Sequence, residues 1–245
     1  MSLDKKLSLI IPAYNEERRI KRVLEDYCQF FRRYGDDVEI IVVMDGCNDY
    51  TSEIVKEFSQ RYRTVKLQQF PYRLGKGGGI TRCLKLIRGN LIGFVDADGA
   101  VEAKELVRLA SQIELDGLDV VIGSRWVEGA KIVKAQSIQR KILSRGFNAL
   151  VRICFRLRFK DTQCGAKVFK KEVIDACLPC LNSTDFIFDV DLLYNATKKN
   201  FNIKEVPIEW ENIKGSKVTF KEILKMFFSV CKLRASHLGA LNVAY

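Results

Sequence analysis

Short apolar runs alternate with longer stretches of three- and four-residue periodicity through the first half of the chain. Residues 7–11 (LSLII) read as a buried strand that Pro12 is expected to stop. Across 16–34, Ile20, Val23, Leu24, Tyr27, Phe30 and Phe31 recur at helical steps. Residues 38–43 are a continuous, mostly β-branched run, the composition of a strand buried on both faces. Asp49 or Thr51 can cap a helix running to residue 62. Strand 64–69, a glycine-rich turn, helix 80–88, strand 91–95, helix 102–115 and strand 119–122 follow. Strands separated by helical segments of this length predict βαβ units, a mostly parallel central sheet and helices on its faces.

In such sheets ligands bind at the carboxyl ends of the strands. The loops at those ends carry Pro12-Ala13-Tyr14-Asn15-Glu16, Met44-Asp45-Gly46, Arg73-Leu74-Gly75-Lys76, Asp96-Ala97-Asp98 and Gly123-Ser124-Arg125. Asp96 and Asp98, one residue apart after a buried strand, can reach one divalent cation together; hard carboxylate oxygens suit Mg²⁺ or Mn²⁺. A polar turn is the plainer reading of the same residues. Gly75-Lys76-Gly77-Gly78-Gly79 departs from a P-loop because Gly77 stands where Ser or Thr is required, and no GxGxxG follows the first strand. Both points argue against an ATPase and a dinucleotide oxidoreductase.

Charge adds a second theme. The 245 residues carry a formal net charge of +11, and residues 131–171 hold twelve basic side chains against the single acid Asp161. Polyanionic partners follow: nucleic acid, acidic lipid headgroups or phosphorylated substrates. Within 137–156, Ile138, Ile142, Leu143, Phe147, Leu150, Val151, Cys154 and Phe155 keep helical spacing beside Lys141, Arg145, Arg152 and Arg156. Residues 220–233 repeat the arrangement with Phe220, Ile223, Leu224, Phe227, Phe228 and Cys231 opposite Lys221, Lys225 and Lys232. Basic amphipathic helices of this kind lie in a bilayer interface; helices docked on the sheet with a solvated basic face are the alternative. No run reaches the ~18–20 apolar residues of a membrane span, and the N-terminus lacks the pattern of a signal peptide. A chain that is soluble or rests on a membrane surface is expected, with its eight cysteines reduced. Cys177 and Cys180 lack the second pair that a zinc site wants, and the lone histidine, His237, has no partner nearby in sequence.

IPAYNE (11–16), Met44-Asp45-Gly46 with Asn48-Asp49, RLGKGGG (73–79), DADGA (96–100), GSR (123–125), DTQCGAK (161–167), FDVDLLY (188–194) and WENIKGSK (210–217) stand in one order. Together they resemble the inverting family 2 glycosyltransferases of GT-A fold, most of all the dolichyl-phosphate glucosyltransferase branch, with mannose synthases as near relatives. The resemblance implies a GT-A domain over 1–217, with a nucleotide-binding half near 1–125 and an acceptor-binding half near 126–217. Residues 218–245 would then form a C-terminal amphipathic extension on a membrane surface.

It also implies roles. Pro12, Tyr14, Glu16 and Asp45 would hold the nucleotide base and ribose, with Lys76 and Asp96 close by. Asp96 and Asp98 would bind Mg²⁺ or Mn²⁺. Arg125 would meet phosphates, and Asp189 would position acceptor or sugar. Arg140, Ser144 and Lys217 would take the acceptor phosphate. Asp98, Asp189 and Arg125 are thus the expected catalytic set. The second motif reads Met44-Asp45-Gly46-Cys47 where the family usually has Asp-Asp-Gly-Ser, and Asp191 stands where Glu is common.

The reaction implied is inverting transfer of a hexose, expected to be glucose from UDP-glucose, to dolichyl or polyprenyl phosphate, at the cytoplasmic face of a membrane. A phosphate acceptor is already anionic near neutral pH and needs no general base. A hydroxyl acceptor would need one, with Asp189 or Asp191 as candidates. A GDP-mannose donor remains open. A basic nucleic-acid binder is the alternative of another class, although no recognised nucleic-acid module is present and none is expected as a partner. A purely structural membrane-surface protein is a third.

Overall fold

The computed structural model describes residues 6–85, 87, 89–134, 137–213 and 220–242. Nine strands alternate with eight α-helices among the described residues. The strands are β1 (Leu7–Ala13), β2 (Val38–Asp45), β3 (Val65–Phe70), β4 (Leu91–Phe94), β5 (Val120–Ser124), β6 (Lys131–Lys134), β7 (Lys167–Lys170), β8 (Ile203–Pro207) and β9 (Glu209–Glu211). The helices are α1 (Ile20–Phe31), α2 (Thr51–Arg61), α3 (Lys76–Leu84), α4 (Ala103–Leu115), α5 (Ile138–Phe155), α6 (Lys171–Cys177), α7 (Phe188–Lys198) and α8 (Phe220–Asn242).

Seven strands form the central sheet in the order β3-β2-β1-β4-β7-β5-β8, and β6 pairs with β9 in a two-stranded ribbon. Every pairing in the central sheet is parallel except those of β7, which runs antiparallel to both β4 and β5. Side chains alternate across the sheet. Leu7, Leu9 and Ile11 join α1, α2 and α4 in one core. Ile10, Ile41 and Val43 join residues of α3 and α5 to α8 in the other. Both faces are covered, as the apolar run of β2 requires. One polar cluster interrupts this interior: Ser8 donates to the buried Glu39 at 2.5 Å and accepts from the Gly89 amide, and Lys66 reaches the same carboxylate.

Several expectations need correction. Pro12 lies inside β1, in register with Val43 of β2. The β1–β4 pairing has already ended at Ile10 and Phe94, so Pro12 has a neighbour on one side only, where a missing N–H is tolerated. The first helix ends at Phe31, and a 3₁₀ segment, Arg32–Asp37, bends at Gly35 (φ 54°). The glycine-rich segment is not a turn before a helix but the first turn of α3, which begins at Lys76. Packing overrides the low helix propensity of glycine there, because the backbone of Thr184 and the Phe188 side chain crowd these positions.

The two basic amphipathic segments are helices, but their apolar stripes divide. Val151 and Phe155 of α5 are buried, whereas Ile138 and Ile142 stand 77% and 65% exposed. Among the described side chains of α8, Val230, Leu233 and His237 are buried, whereas Phe227 and Phe228 of the expected stripe face outward at 47% and 71% exposure; the side chains of Phe220, Ile223 and Leu224 lie outside the described residues. No helix among the described residues is long and apolar enough to cross a membrane. Strands β7 and β8, from the 126–217 half, lie in the same sheet as β1–β5.

Candidate active site

Four loops at the carboxyl ends of β1 to β4 are tied to one another. Asn15, in left-handed conformation (φ 53°), exchanges side-chain and backbone hydrogen bonds with Asn48 at 2.6 and 3.0 Å. The Glu16 amide donates to Thr51 Oγ1 at 2.7 Å, and the Glu17 amide to Asp49. Asp49 Oδ1 accepts from the Thr51 amide at 3.0 Å, but the N-cap position of α2 is Tyr50 and carries no side-chain cap, so neither Asp49 nor Thr51 takes the expected place. Asp45, buried at the end of β2, accepts from the amides of Leu74 and Gly75 at 2.5 and 2.9 Å. Arg73 lies over the Tyr14 ring at 4.0 Å, closing the first and third loops over each other.

A chain of charges crosses the centre of this rim. Lys76 Nζ lies 3.0 Å from Asp96 Oδ1 and 3.1 Å from Asp189 Oδ2. Asp189, in the first turn of α7, also accepts from Lys167 at 2.9 Å, and Lys167 in turn donates to the Cys164 carbonyl. Burial alone would raise the Asp189 carboxyl, but the charges of Lys167 and Lys76 outweigh it and hold the group below its usual range. Burial works the other way on Lys76, and there too the partners prevail: Asp189 and Asp96 keep its ammonium charged.

Asp98 sits on the other side of Asp96. Burial and the charge of Asp96 raise its carboxyl above the ordinary value, offset in part by the Ala100 amide at 2.9 Å and by Arg19. The Tyr27 phenol is pushed up by burial and then by Asp98 and Asp96, and it donates to the Val101 carbonyl at 2.7 Å. This corner therefore carries surplus negative charge. Asp96 itself is 43% exposed, so one carboxylate of the pair opens toward solvent. Gly165 is required beside it: a Cβ there would fall 2.2 Å from Asp96 Oδ2.

Arg125 follows β5 and is committed to Asp161. Its Nε and one terminal nitrogen donate to the two carboxylate oxygens at 2.7 and 2.8 Å, and its amide donates at 3.0 Å. Burial would lower the guanidinium, but Asp161 raises it, and the field of Asp96 reaches it as well. The indoles of Trp126 and Trp210 lie within 5.6 and 5.4 Å of Arg125, and Arg145 of α5 approaches Trp126 at 4.9 Å. Two buried donors, Trp126 Nε1 and Gln163 Nε2, have no acceptor among the described residues.

The remaining expected residues are distributed as follows. Pro12, Tyr14 and Glu16 line the first loop, each half-buried, with Glu16 paired to Arg19 at 2.5 Å. Ser144 is half-buried on α5, one turn before Asn148, which holds the Thr162 amide and hydroxyl at 3.0 and 2.9 Å. Lys217 lies outside the described residues, as does the side chain of Arg140. Sequence reasoning passed over Lys167, Asp161 and Arg145. A lysine inside the apolar strand KVFK is the signal that could have found the first, since an unpaired lysine is not tolerated there.

Among the described residues no group of three or more His, Cys, Asp or Glu side chains gathers as a metal site. The protein offers a pair, Asp96 and Asp98, in which burial and then mutual repulsion raise the Asp98 carboxyl; two hard carboxylates so placed fit one divalent cation that takes its other ligands from a bound phosphate.

Comparison with known proteins identifies the family and the fold. The Glycosyl transferase family 2 model matches residues 8–178, and the chain belongs to that family of glycosyltransferases. Its relatives include the dolichyl-phosphate beta-glucosyltransferases of Dictyostelium discoideum, 36% identical over 247 residues, and of Saccharomyces cerevisiae, 36% identical over 251. Each match covers 95% of this chain and 75% of the relative. Among solved structures, Mycobacterium tuberculosis glucosyl-3-phosphoglycerate synthase in complex with Mn²⁺, uridine diphosphate and glucosyl-3-phosphoglycerate aligns with a TM-score of 0.70 at 18% identity, covering 96% of this chain and 81% of that one. The fold is GT-A.

Proposed function

We propose that this enzyme transfers glucose, with inversion, from UDP-glucose to dolichyl or polyprenyl phosphate at the cytoplasmic face of a membrane, and that it depends on Mg²⁺ or Mn²⁺. The observation that carries the reading is the state of Asp189 and Asp191, the two candidate general bases. Asp189 is clamped by two lysines, and Asp191, fully buried, is occupied by the Asn182 and Ser183 amides, Asn195 and His237. Neither is free to take a proton from a hydroxyl acceptor. A phosphate acceptor asks for none, because it is already anionic at neutral pH. The kinship with dolichyl-phosphate beta-glucosyltransferases over 95% of the chain supports the same acceptor and sugar.

Each role then has a physical basis. Tyr14 with Arg73 over its ring, Pro12, Glu16 and Asp45 form the seat of the uridine. Asp96 and Asp98 would hold the cation, whose charge would offset that gathering on the departing diphosphate. Lys76, freed from part of its bond to Asp96 when substrate arrives, supplies a fixed positive charge beside the same phosphates. The net-neutral Arg125–Asp161 pair braces the floor. Trp126 Nε1 and Gln163 Nε2 offer donors to sugar hydroxyls. Ser144 and Arg145 of α5 draw the lipid phosphate toward the anomeric carbon, and Arg140 and Lys217 are proposed to take part in holding it. The acceptor oxygen forms the new bond to that carbon as the bond to UDP breaks, which inverts its configuration.

The exposed Ile138, Ile142 and Leu143 of α5 and Phe227 and Phe228 of α8, on helices rich in lysine and arginine, support docking on an anionic membrane surface. Incubation of purified protein with Mn²⁺, labelled UDP-glucose and dolichyl phosphate is expected to give a lipid-extractable glucosyl phosphate. A GDP-mannose arm tests the neighbouring chemistry, and product from that arm alone would overturn the donor assignment.

A further inference from the structure

Helix α8 lies outside the catalytic rim, yet one of its side chains reaches the segment on which α3 rests and another reaches a carboxylate of α7 that holds that segment. Ser229 Oγ donates to Asp185 Oδ2 at 2.6 Å. The other oxygen of Asp185 accepts from Ser183 Oγ and from the Ile187 amide, both at 2.9 Å. Two turns on, His237 Nε2 lies 2.8 Å from Asp191 Oδ1, buried against the Tyr194 ring with centroids 4.7 Å apart. Because a carboxylate only accepts, Nε2 carries the proton. Asp191 Oδ2 accepts from the amides of Asn182 and Ser183 at 2.6 and 2.9 Å. The segment Asn182–Asp185 is therefore held at both carboxylates by groups that α8 supports.

That segment in turn seats α3. The Thr184 carbonyl accepts from the Gly78 amide at 3.0 Å. It also lies so close to Gly75 (φ +84°) that a Cβ would fall 2.4 Å from its oxygen, and a Cβ on Gly77 would fall 2.7 Å from that of Phe188. Lys76 sits between these glycines and bonds Asp96 and Asp189. The glycines allow no slack, so a shift of Thr184 moves the backbone that carries Lys76.

We infer that Ser229 and His237 are positioning residues: docking of α8 sets the 182–185 segment, and through it the placement of Lys76 against Asp96 and Asp189. Phe227 and Phe228 of α8 are exposed, so the helix that would touch the membrane is the one that orders the catalytic lysine. This rests on the reading of Lys76 and Asp189 given above. A coupling carried by one packed segment is worth a few-fold to some thirtyfold.

The test uses the full chain with Ser229→Ala, His237→Ala, His237→Gln and the double Ser229→Ala/His237→Ala variant. Hydrogen exchange followed by mass spectrometry is read on peptides spanning 75–79, 182–185 and, as reference, 38–45. Ser229→Ala and His237→Ala are expected to speed exchange in the first two and leave the third unchanged. For glucosyl transfer, kcat is expected to fall about tenfold while KM for UDP-glucose stays within about twofold. His237→Gln, whose amide can still donate to Asp191, restores most of both, and the double variant loses less than the product of the single effects. Unchanged exchange at 75–79 in folded Ser229→Ala and His237→Ala overturns the inference, as does a kcat loss that only tracks the unfolded fraction. Should the wild type make no glucosyl lipid, the functional reading fails while the exchange comparison still decides the positioning role.

Discussion

The Nζ of Lys167, a side chain with no solvent exposure, lies 2.9 Å from Oδ1 of Asp189. The pair joins the middle of the central sheet, where β7 begins, to the first turn of α7. Removing the lysine leaves a buried carboxylate with Lys76 as its one remaining cation. Lys167→Met is expected to cost about 3–5 kcal/mol, the usual loss when one member of a buried pair is deleted, read by urea denaturation. The pH dependence has a definite sign. Asp189 is lowered in the folded state, so its contribution is complete above the unfolded carboxylate value near ~3.9 and fades as pH falls through the lower folded value. In Lys167→Met the carboxylate titrates higher, and acid unfolding begins at a higher pH. An acid limb that stays where the wild type has it would refute the assignment.

Asp98 has the opposite sign. Its carboxyl is raised by burial and by Asp96, so its charge is a penalty once pH exceeds the unfolded value, and the penalty is complete above the raised one. Asp98→Asn is therefore expected to raise the thermal midpoint of the metal-free protein at neutral pH. Mn²⁺ should stabilise the wild type and have no such effect on the variant. Transfer activity should fall about 10²–10³-fold, the scale for losing one element of transition-state charge stabilisation. Chelation of divalent cations should bring the wild type to the same level. Scanning fluorimetry with and without Mn²⁺, beside the transfer assay, checks each point.

Gly165→Ala puts a methyl group against the Asp96 carboxylate, 2.2 Å from Oδ2. The carboxylate must rotate or the 161–167 segment must lift. Activity is expected to fall by about 10²-fold, as for a small misplacement of a reacting constellation, with loss of the Mn²⁺ stabilisation that Asp98→Asn also abolishes. A variant that keeps both would show that Asp96 is free to move and does not hold the cation.

Phe227→Ser and Phe228→Ser remove exposed apolar surface from α8 without touching its docked face. Each is expected to alter folding stability by about 0.5 kcal/mol or less. Each should weaken binding to phosphatidylserine-containing vesicles by about tenfold, taking the lower end of ~1.5–3 kcal/mol for burial of one large apolar side chain. Co-sedimentation with vesicles measures it, and unchanged binding by the double variant would remove α8 from the membrane contact.

Much of the frame is legible in the amino-acid order because it depends on local pattern. The apolar runs of β1, β2, β4 and β5 and the periodicity of α1, α2 and α4 each report their own burial, and the loops between them fall at one rim. What pattern hides is non-local. Strand β7 is four residues long, and its lysines disguise a central strand, because Lys167 is neutralised by Asp189, 22 residues further on. Arg125 reads as a free cation until Asp161 is found opposite it, and His237 reads as isolated until the fold brings Asp191 to 2.8 Å. The glycines of α3 argue for a turn by propensity, and only the approach of Thr184 explains why they are helical. On α8 the described members of the stripe chosen by hydrophobicity, Phe227, Phe228 and Cys231, are exposed, since apolar spacing cannot say which of two apolar faces meets the protein.

The antiparallel β7 has a consequence for how the polypeptide comes together during synthesis. Strand β5 emerges with neither of its neighbours yet made, since β7 and β8 both follow it in the chain. A nascent chain ending near residue 125 can assemble the β3-β2-β1-β4 half-sheet but must leave β5 without a ladder. The strand that fills the gap also delivers Lys167 to Asp189's future location, so closure of the sheet and completion of the charge chain coincide in time. Pulse-labelled amide exchange during refolding should accordingly protect β5 no earlier than the first of β7 and β8 to form, making the reactive rim a late product of the folding sequence.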